Sequence, residues 1–187
     1  QLASPPRGQG ANAAAAGFVV ADQFENAVAC TFTMNRLFGA GRMAEGTGIL
    51  LAAPPRSPDD GTTALNAVIV ANPDSRRFRL AATAAGGPAG TTVLARLLLD
   101  TLAGGLPLSE AVAAPRLHHG GAPDRLLIET ALPAGLRQGL AQRGYRLEEG
   151  GPIGRVNAAY CPLGAFQNQT CQATTDPRGS GMAIRVQ

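Results

Sequence analysis

The sequence has no lysine, so its cationic side chains are arginines apart from two histidines. The formal net charge is only +3, and the arginines are scattered except for the group Arg76, Arg77 and Arg79. Nucleic-acid-binding domains concentrate basic residues in a patch or along one face. The composition therefore argues against a nucleic-acid partner.

Long apolar runs are also missing, and none approaches the ~20 residues of a membrane-spanning helix. Hydrophobic residues make up 45% and charged residues 16% of the 187 residues, which is typical of a folded domain with a core. Residue 1 is a glutamine, and no basic-then-apolar leader follows it. We therefore expect a processed product or a fragment, without a membrane segment.

Cysteine is scarce, with three residues that cannot all pair within the chain. Cys161 and Cys171 flank a short step, so a local disulfide is expected if the compartment is oxidising. Cys30 lies in an apolar run and is predicted to be a small buried hydrophobe. The adjacent His118 and His119 point too far apart to chelate one ion easily, and no zinc-type spacing occurs, so we expect no metal.

The first regular element is predicted to be a β-hairpin, with apolar runs at 18–21 and 27–34 around a polar turn. A glycine-punctuated loop at 39–48 should bring backbone close to a neighbour. Further strands are predicted at 66–70, 77–83, 126–128, 155–160, 171–174 and 182–186. Residues 1–16 lack periodicity and are read as a flexible N-terminal arm, which leaves 17–187 as one domain.

Three helices lie between these strands. Apolar side chains recur at helical spacing over 91–103. Ser109 is predicted to cap a short helix over 109–113. Residues 133–143 begin with proline and are followed by Gly144, the usual helix asymmetry. Strands, then helices, then strands predict an α+β fold.

Several short motifs follow one another along the chain in a fixed order. D-x-x-x-N-A-V at 22–28 leads into T-x-T-x-N at 31–35, F-G-x-G at 38–41 and E-G-x-G-I-L-L at 45–51. Gly86-Gly87 precedes a helix, A-P-R-L-H-H at 114–119 follows it, and D-P-R-G lies at 176–179. From Phe18 onward, this order resembles the small subunit of γ-glutamyltransferases.

The resemblance implies the αββα four-layer sandwich of N-terminal-nucleophile hydrolases, with this chain as the small-subunit half. It also implies a larger subunit cut from the same precursor, a small γ-glutamyl or acyl-amide ligand, and no cofactor. Family members are usually periplasmic or secreted, and a cytoplasmic location stays open. The D-P-R-G segment is read as a turn. Its Asp176–Arg178 pair could also brace the site, but an exposed pair would contribute little.

The family's catalytic residue is a threonine at the start of the small subunit, whose α-amino group acts as base for its own hydroxyl. Aligning the family's aspartate with Asp22 places the two threonines of its motif on Ala15 and Ala16, and its histidine on Gly17. No serine, threonine or cysteine occurs between Ser4 and Cys30. The family nucleophile is therefore missing.

Other family positions are retained. Thr33 matches the threonine that supports the nucleophile, although alone it would be an ordinary strand hydroxyl. Asn35 matches the asparagine that contacts the substrate's α-carboxylate. Gly86 and Gly87 match the diglycine whose backbone N–H groups form the oxyanion hole, a feature that needs no side chain.

The pocket for the substrate's amino group is altered. Where the family has a run of acids and amides after Leu51, this chain has alanines and prolines at 52–55, and Asp59-Asp60 comes too late unless the loop is rebuilt. Thr63 keeps at most one hydroxyl of the family's Ser-Ser-Met run and is the remaining substrate-binding candidate. A buried ammonium needs anionic partners.

Two hypotheses follow. Because the nucleophile and the amino-group pocket are both altered, the sequence favours a noncatalytic or strongly altered homologue, a pseudoenzyme. The alternative is an active γ-glutamyl or acyl-amide hydrolase or transferase with a different acyl specificity and another nucleophile. A natural threonine at position 15 or 16 would favour the alternative.

Overall fold

The computed structural model describes residues 15–54, 66–165 and 170–186. Its first element is the predicted hairpin, in which β1 (Ala15–Ala21) pairs antiparallel with β2 (Ala27–Thr33). The Asp22 carboxylate closes the turn by accepting hydrogen bonds from the backbone N–H groups of Phe24 and Asn26 at 2.9 and 3.0 Å. Ala15 and Ala16, assigned from sequence to the arm, are strand residues, and residues 1–14 lie outside the described residues.

The central sheet has four antiparallel strands in the order β3-β4-β8-β9. They are β3 (Asn66–Ala71), β4 (Phe78–Ala85), β8 (Arg155–Tyr160) and β9 (Gln172–Thr175). β4 lies inside the sheet and is almost fully buried, which fits its run of small and apolar side chains. All four strands were predicted from the apolar runs.

Two helices cover one face of this sheet. α1 (Ala89–Leu98) continues into a π-helical turn (Leu99–Ala103), and α2 (Leu108–Ala113) follows. Leucines and valines of both helices pack on alternate residues of β4, namely Leu80, Ala82 and Ala84. The prediction that Ser109 caps α2 is wrong, because Pro107 holds the cap position and no side chain caps the helix.

A third, small sheet has the order β5-β6-β7. It contains β5 (Leu117–His119), β6 (Leu126–Glu129) and β7 (Leu147–Gly150), and α3 (Ala134–Gln142) connects the parallel pair β6 and β7. A parallel pair requires such a crossover. The sequence did not predict β5 or β7, and the strand predicted at 182–186 is wrong, since this segment has no regular structure.

The hairpin packs on the face of the central sheet opposite the helices. Val19 and three alanines of the hairpin pack against buried residues of the sheet and the segment after β8. The alanines are Ala21, Ala27 and Ala29, and the buried residues are Phe78, Ala81, Cys161 and Ala165. The Glu25 carboxylate links the hairpin turn to the sheet, because Oε2 accepts from the N–H groups of Phe78 at 2.7 Å and Ala165 at 3.0 Å. The result is a sheet-on-sheet arrangement with helices on one outer side, which confirms the α+β prediction.

The other face of the hairpin is apolar and open. Phe18, Val20, Val28 and Phe32 are 46%, 56%, 54% and 49% exposed. Within the described ranges, β1 pairs only with β2, so the two-stranded sheet has open edges. An apolar face of this kind indicates a binding surface.

The predicted Cys161–Cys171 disulfide is present. Cys30 is free but half-buried, so the prediction of a buried position is wrong. The described helices are all too short or too polar to cross a membrane.

Candidate functional site

The beginning of β1 and the end of β4 lie at the same end of the sandwich. Thr83, near the end of β4, is so close to Gly17 that a Cβ on the glycine would be 2.6 Å from the Thr83 Oγ1. Farther along β1, Val19 packs in the cluster around Phe78 at the start of β4. The two strands therefore run in opposite directions, and Ala15 is at the end where β4 leads into Gly86.

Ala15 is paired with Thr33 in the β1–β2 register. The position predicted for the nucleophile thus lies beside the predicted supporting threonine, but it carries a methyl group. Ala16 pairs with Phe32, one residue farther along the hairpin. Of the two alanines, only Ala15 is directly opposite the Thr33 backbone.

Gly17 is required by its surroundings. Its carbonyl accepts a hydrogen bond from Asn157 Nδ2 at 2.7 Å, which fixes the backbone next to Thr83. Thr83 is 1% exposed, and its hydroxyl has no hydrogen-bond partner among the described residues. The space that a larger side chain at position 17 would need is therefore filled by Thr83.

Thr33 and Asn35 form a local turn after β2. Asn35 adopts a positive φ of 59°, and its N–H donates to Thr33 Oγ1 at 3.0 Å. Asn35 Nδ2 donates to the Ala53 carbonyl at 2.6 Å, whereas its Oδ1 is buried without a partner in the described ranges. One amide hydrogen that could contact a carboxylate is therefore already used by the chain.

The glycine loop after Asn35 does approach a neighbour, as predicted. Gly39 has a φ of 54°, and a Cβ there would overlap the carbonyl oxygen of Leu51. Ala40 and Leu51 are joined by a backbone hydrogen bond of 2.8 Å. Thr63 and Asp59-Asp60 lie outside the described residues.

Gly86 and Gly87 connect β4 to α1 with positive φ values of 148° and 62°. A Cβ on Gly86 would be 2.6 Å from the Cα of Gly154, so the two backbones are in direct contact. The Gly87 carbonyl accepts from Asn66 Nδ2 at 3.3 Å, and Asn66 Oδ1 accepts from the Thr91 hydroxyl at 2.7 Å. Sequence reasoning missed Asn66, whose only signal was a polar residue heading an apolar strand.

A buried arginine holds the loop that touches Gly86. Arg116 is 6% exposed, and its Nη1 donates to the carbonyls of Ile153 at 2.9 Å and Gly154 at 3.1 Å. Its Nη2 pairs with Asp176 Oδ2 at 2.6 Å. The prediction of an exposed turn pair at Asp176 is wrong, because this carboxylate is 3% exposed.

Arg178 and Glu129 complete a group of four charges, which we call the buried ion quartet: Arg116, Glu129, Asp176 and Arg178. Arg178 donates from Nε and Nη2 to both Glu129 oxygens at 2.6 Å, a bidentate contact. Glu129 also accepts from the N–H groups of Arg116 and Ile153 at 2.9 and 2.8 Å. The quartet therefore holds the 153–154 backbone through the carbonyls of Ile153 and Gly154 and the N–H group of Ile153.

Glu129 and Arg178 are both stabilised in their charged forms. Burial alone raises the pKa of Glu129, but hydrogen bonds from Arg178 and from the N–H groups of Ile153 and Arg116 outweigh it and leave this pKa below its ordinary value. Burial likewise lowers the pKa of Arg178, and hydrogen bonds to Glu129 and Asp176 reverse the direction, so the net pKa is raised.

Acid is therefore expected to destabilise the fold through Glu129. A carboxyl whose pKa is lower when folded stabilises the protein fully above its unfolded pKa, here near the ordinary 4.5, and loses that contribution as pH falls through the folded value. Urea unfolding midpoints, measured from neutral pH downward, should fall steeply below this point. Glu129→Gln should start lower and fall less steeply.

The control for this pH dependence is Glu148→Gln, which removes a carboxylate that is 46% exposed and pairs with Arg125 on the surface. Its midpoints should follow the wild-type curve. Parallel curves for the wild type and Glu129→Gln would contradict the assignment.

His118 contributes separately at higher pH. Burial and then the charge of His119 lower the pKa of His118, so the protein loses stability as pH falls below about 6.5.

The two histidines do not form a common site. His118 is buried, with Nδ1 3.0 Å from the Thr92 hydroxyl, whereas His119 pairs with Asp124 at 2.9 Å. Across residues 15–54, 66–165 and 170–186, no three His, Cys, Asp or Glu side chains come together as metal ligands.

Comparison with protein families gives a match over residues 62–186 to Gamma-glutamyltranspeptidase. The glutathione hydrolase proenzyme of Escherichia coli is 31% identical over 135 residues, covering 60% of this chain and 23% of the relative. The glutathione hydrolase proenzyme of Pseudomonas aeruginosa is 29% identical over 195 residues, covering 90% of this chain and 34% of the relative. The chain thus spans about a quarter to a third of these curated relatives.

Solved structures show the same fold. The γ-glutamyltranspeptidase from Pseudomonas nitroreducens in complex with L-DON has a TM-score of 0.73 and 26% identity, covering 91% of this chain and 99% of that chain. A Thr-to-Ala mutant of the Helicobacter pylori γ-glutamyltranspeptidase has a TM-score of 0.70 and 26% identity, covering 89% and 100%. The fold is therefore the α+β sandwich of N-terminal-nucleophile hydrolases.

Proposed function

Because the chain belongs to the γ-glutamyltranspeptidase family, we propose that it is a noncatalytic or strongly altered small-subunit counterpart. The observation that carries this proposal is the register that places Ala15 opposite Thr33, at the end of β1 that faces the Gly86 turn. An acyl-enzyme requires a hydroxyl, thiol or other nucleophile at that point. A methyl group offers none.

The remaining candidate groups do not replace the nucleophile. The Thr83 hydroxyl is nearby, but the residue is 1% exposed and cannot meet a substrate without local opening. Asn35 donates to Ala53 at 2.6 Å instead of keeping both amide hydrogens for a substrate carboxylate. These contacts support a site that has kept its backbone framework and changed its side-chain chemistry.

The second candidate is an active hydrolase or transferase for γ-glutamyl or other acyl amides. It is supported by the retained turn at Gly86 and Gly87, with φ values of 148° and 62°, because an oxyanion hole of backbone N–H groups needs no side chain. Such an enzyme would use a nucleophile other than a threonine at position 15 or 16. The activity test separates the two candidates.

We expect the full-length protein to release no measurable product from a γ-glutamyl anilide and to form no covalent adduct with a glutamine-analogue inactivator. Ala15→Thr and Ala16→Thr, made singly, should not restore full turnover, because the altered segment after Leu51 is unaffected. Anilide release and intact-protein mass spectrometry measure these outcomes. The E. coli glutathione hydrolase serves as the positive control.

Robust turnover by the unmodified protein would overturn the noncatalytic proposal. A mass shift mapped to any residue before Cys30 would do the same, since it would identify a nucleophile in that segment. Turnover that appears only in Ala15→Thr would show that the binding pocket is intact and that Ala15 alone prevents catalysis.

A larger subunit from the same precursor is proposed to cover the open face of the hairpin. The four outward side chains of that face, Phe18, Val20, Val28 and Phe32, are each about half exposed, and β1 has an open edge. Apolar burial and strand pairing would both stabilise such an assembly. The small subunit alone is therefore expected to be unstable.

Co-expression of the small subunit with the rest of its precursor should give a complex that co-purifies. The double variant Phe18→Ser, Phe32→Ser should lower the yield of complex severalfold, because it removes two apolar contacts. Leu136→Ser is the control, since Leu136 is 43% exposed on α3, away from the hairpin. A cooperatively unfolding small-subunit monomer would argue against this proposal.

We also propose a periplasmic or secreted location. The Cys161–Cys171 disulfide supports it, because disulfides persist in oxidising compartments. Cell fractionation with thiol labelling tests this directly. A protein recovered in the cytoplasm with both cysteines reduced would favour the cytoplasmic alternative.

A further inference from the structure

A cavity lies at the start of β4, at the opposite end of that strand from Gly86. Its volume is about 210 Å³, and it is lined by Asn72, Ser75, Arg77, Arg79, Pro162 and Leu163. Among the residues that the structure describes, the lining contains two guanidinium groups, one amide and one hydroxyl, and no carboxylate. This composition offers several hydrogen-bond donors on one wall of the cavity.

Arg79 provides the most specific signal. Its Nε is buried and has no hydrogen-bond partner in the part of the chain that the structure describes. The ion pairs formed among the described residues do not include Arg79. A buried guanidinium N–H without an acceptor is unfavourable, and an oxyanion in the cavity would satisfy it.

Local structure fixes the walls of the cavity. Asn72 Oδ1 accepts from the N–H groups of Asp74 at 3.0 Å and Ser75 at 2.9 Å, which closes the β3–β4 turn and leaves Asn72 Nδ2 outside the described hydrogen bonds. On the other side, Cys161 N–H donates to the Arg79 carbonyl at 2.8 Å, and its disulfide anchors the following Pro162 and Leu163. The cavity is thus bounded by a capped turn and a cross-linked segment.

Two acids are near this end of β4: Asp74 lies in the same turn as Asn72 and Ser75, and Glu25 lies on the hairpin turn, but neither is among the described lining residues. The Glu25 Oε2 accepts from the N–H groups of Phe78 and Ala165 at 2.7 and 3.0 Å. Arg77 and Arg79 occupy alternate positions and both line the cavity. Arginine forks match the paired oxygens of phosphate and carboxylate.

We propose that this cavity is a binding site for a small oxyanion of phosphate or carboxylate type, held by Arg77 and Arg79 with Ser75 and Asn72 as additional donors. The site is separate from the Ala15 region, so it does not depend on whether the protein catalyses acyl transfer. Its ligand would be a phosphate or carboxylate group that is free in solution or part of a small metabolite.

The test is calorimetric titration of the full-length protein with inorganic phosphate, sulfate and acetate in turn, at constant ionic strength. Saturable one-site binding of at least one anion is expected. Arg79→Gln should weaken it at least about tenfold, because a charge-assisted hydrogen bond is removed. Arg77→Gln should weaken it as well, and Arg146→Gln is the control because it removes the same charge from an exposed position.

Each outcome bears on the proposal. Unchanged affinity in Arg79→Gln and Arg77→Gln, or an equal decrease in Arg146→Gln, would overturn it, since binding would then be elsewhere or nonspecific. No saturable binding of any of the three anions to the wild type would also overturn it. If Arg79→Gln does not fold, Arg77→Gln and Ser75→Ala decide the result. Preference for phosphate or sulfate over acetate would identify the tetrahedral class.

Discussion

Asp176→Asn is expected to lower the free energy of unfolding by about 3–5 kcal/mol, because it leaves a buried cation without its anion. The side chains of Arg116 and Asp176 are 6% and 2% exposed and 2.6 Å apart. Water therefore has little access to solvate the Arg116 guanidinium once the Asp176 charge is removed. Asp176 also accepts from the Val156 N–H at 2.9 Å and pairs with Arg178. Chemical denaturation of the full-length protein measures the change.

The matched control is Asp100→Asn. Asp100 pairs with Arg96 at the same distance of 2.6 Å, but Arg96 is 49% exposed on α1. A surface pair of this kind contributes only about 0.3–0.5 kcal/mol. Similar destabilisation in the two variants would mean that the buried ion quartet is no more important to stability than a surface pair.

Gly86→Ala is expected to cost several kcal/mol for two independent reasons. The added Cβ would be 2.6 Å from the Gly154 Cα, so backbone would have to move, at about 1–3 kcal/mol for overpacking. The φ of 148° adds about 1–3 kcal/mol of strain for a non-glycine residue. Thermal and urea unfolding should both show the change.

Gly87→Ala is the control that separates backbone strain from the steric overlap of an added Cβ. Gly87 has a φ of 62°, but no atom lies within 4 Å of the Cβ position, so only a conformational cost of about 1–2 kcal/mol applies. Gly86→Ala should therefore be clearly the less stable of the two. Equal stability would show that the backbone around Gly86 and Gly154 can move apart at little cost.

The sequence predicted the elements whose apolar residues have a clear period. The β1–β2 hairpin, the four strands of the central sheet and α1 were predicted because their apolar runs or helical spacing are clear, whereas α2 and α3 were predicted from serine, proline and glycine signals at their ends. β7 was missed because its Leu-Glu-Glu-Gly sequence is polar and exposed, and it forms only through pairing with β6. At 182–186 an alternating apolar pattern exists without a partner strand among the described residues.

For the candidate site, the motifs predicted the positions of Thr33, Asn35 and the diglycine, and they indicated that position 15 carries no nucleophile. The roles of these residues stay predictions. The buried ion quartet could not be predicted, because Arg116, Glu129 and the 176–178 turn are far apart in sequence and only the fold brings them together. The contact that fills the space above Gly17 was likewise invisible, since Thr83 is an unremarkable residue in a buried strand.

The contact between Gly17 and Thr83 makes the two positions epistatic. A histidine at position 17, as in the family motif, would overlap the Thr83 hydroxyl. The fold can accommodate that histidine only after Thr83 is replaced by a smaller residue. Thr83→Gly alone would instead leave a void in the strand. Any route from this sequence to the full family motif must therefore pass through an intermediate that is strained or underpacked, and the order of substitutions decides which.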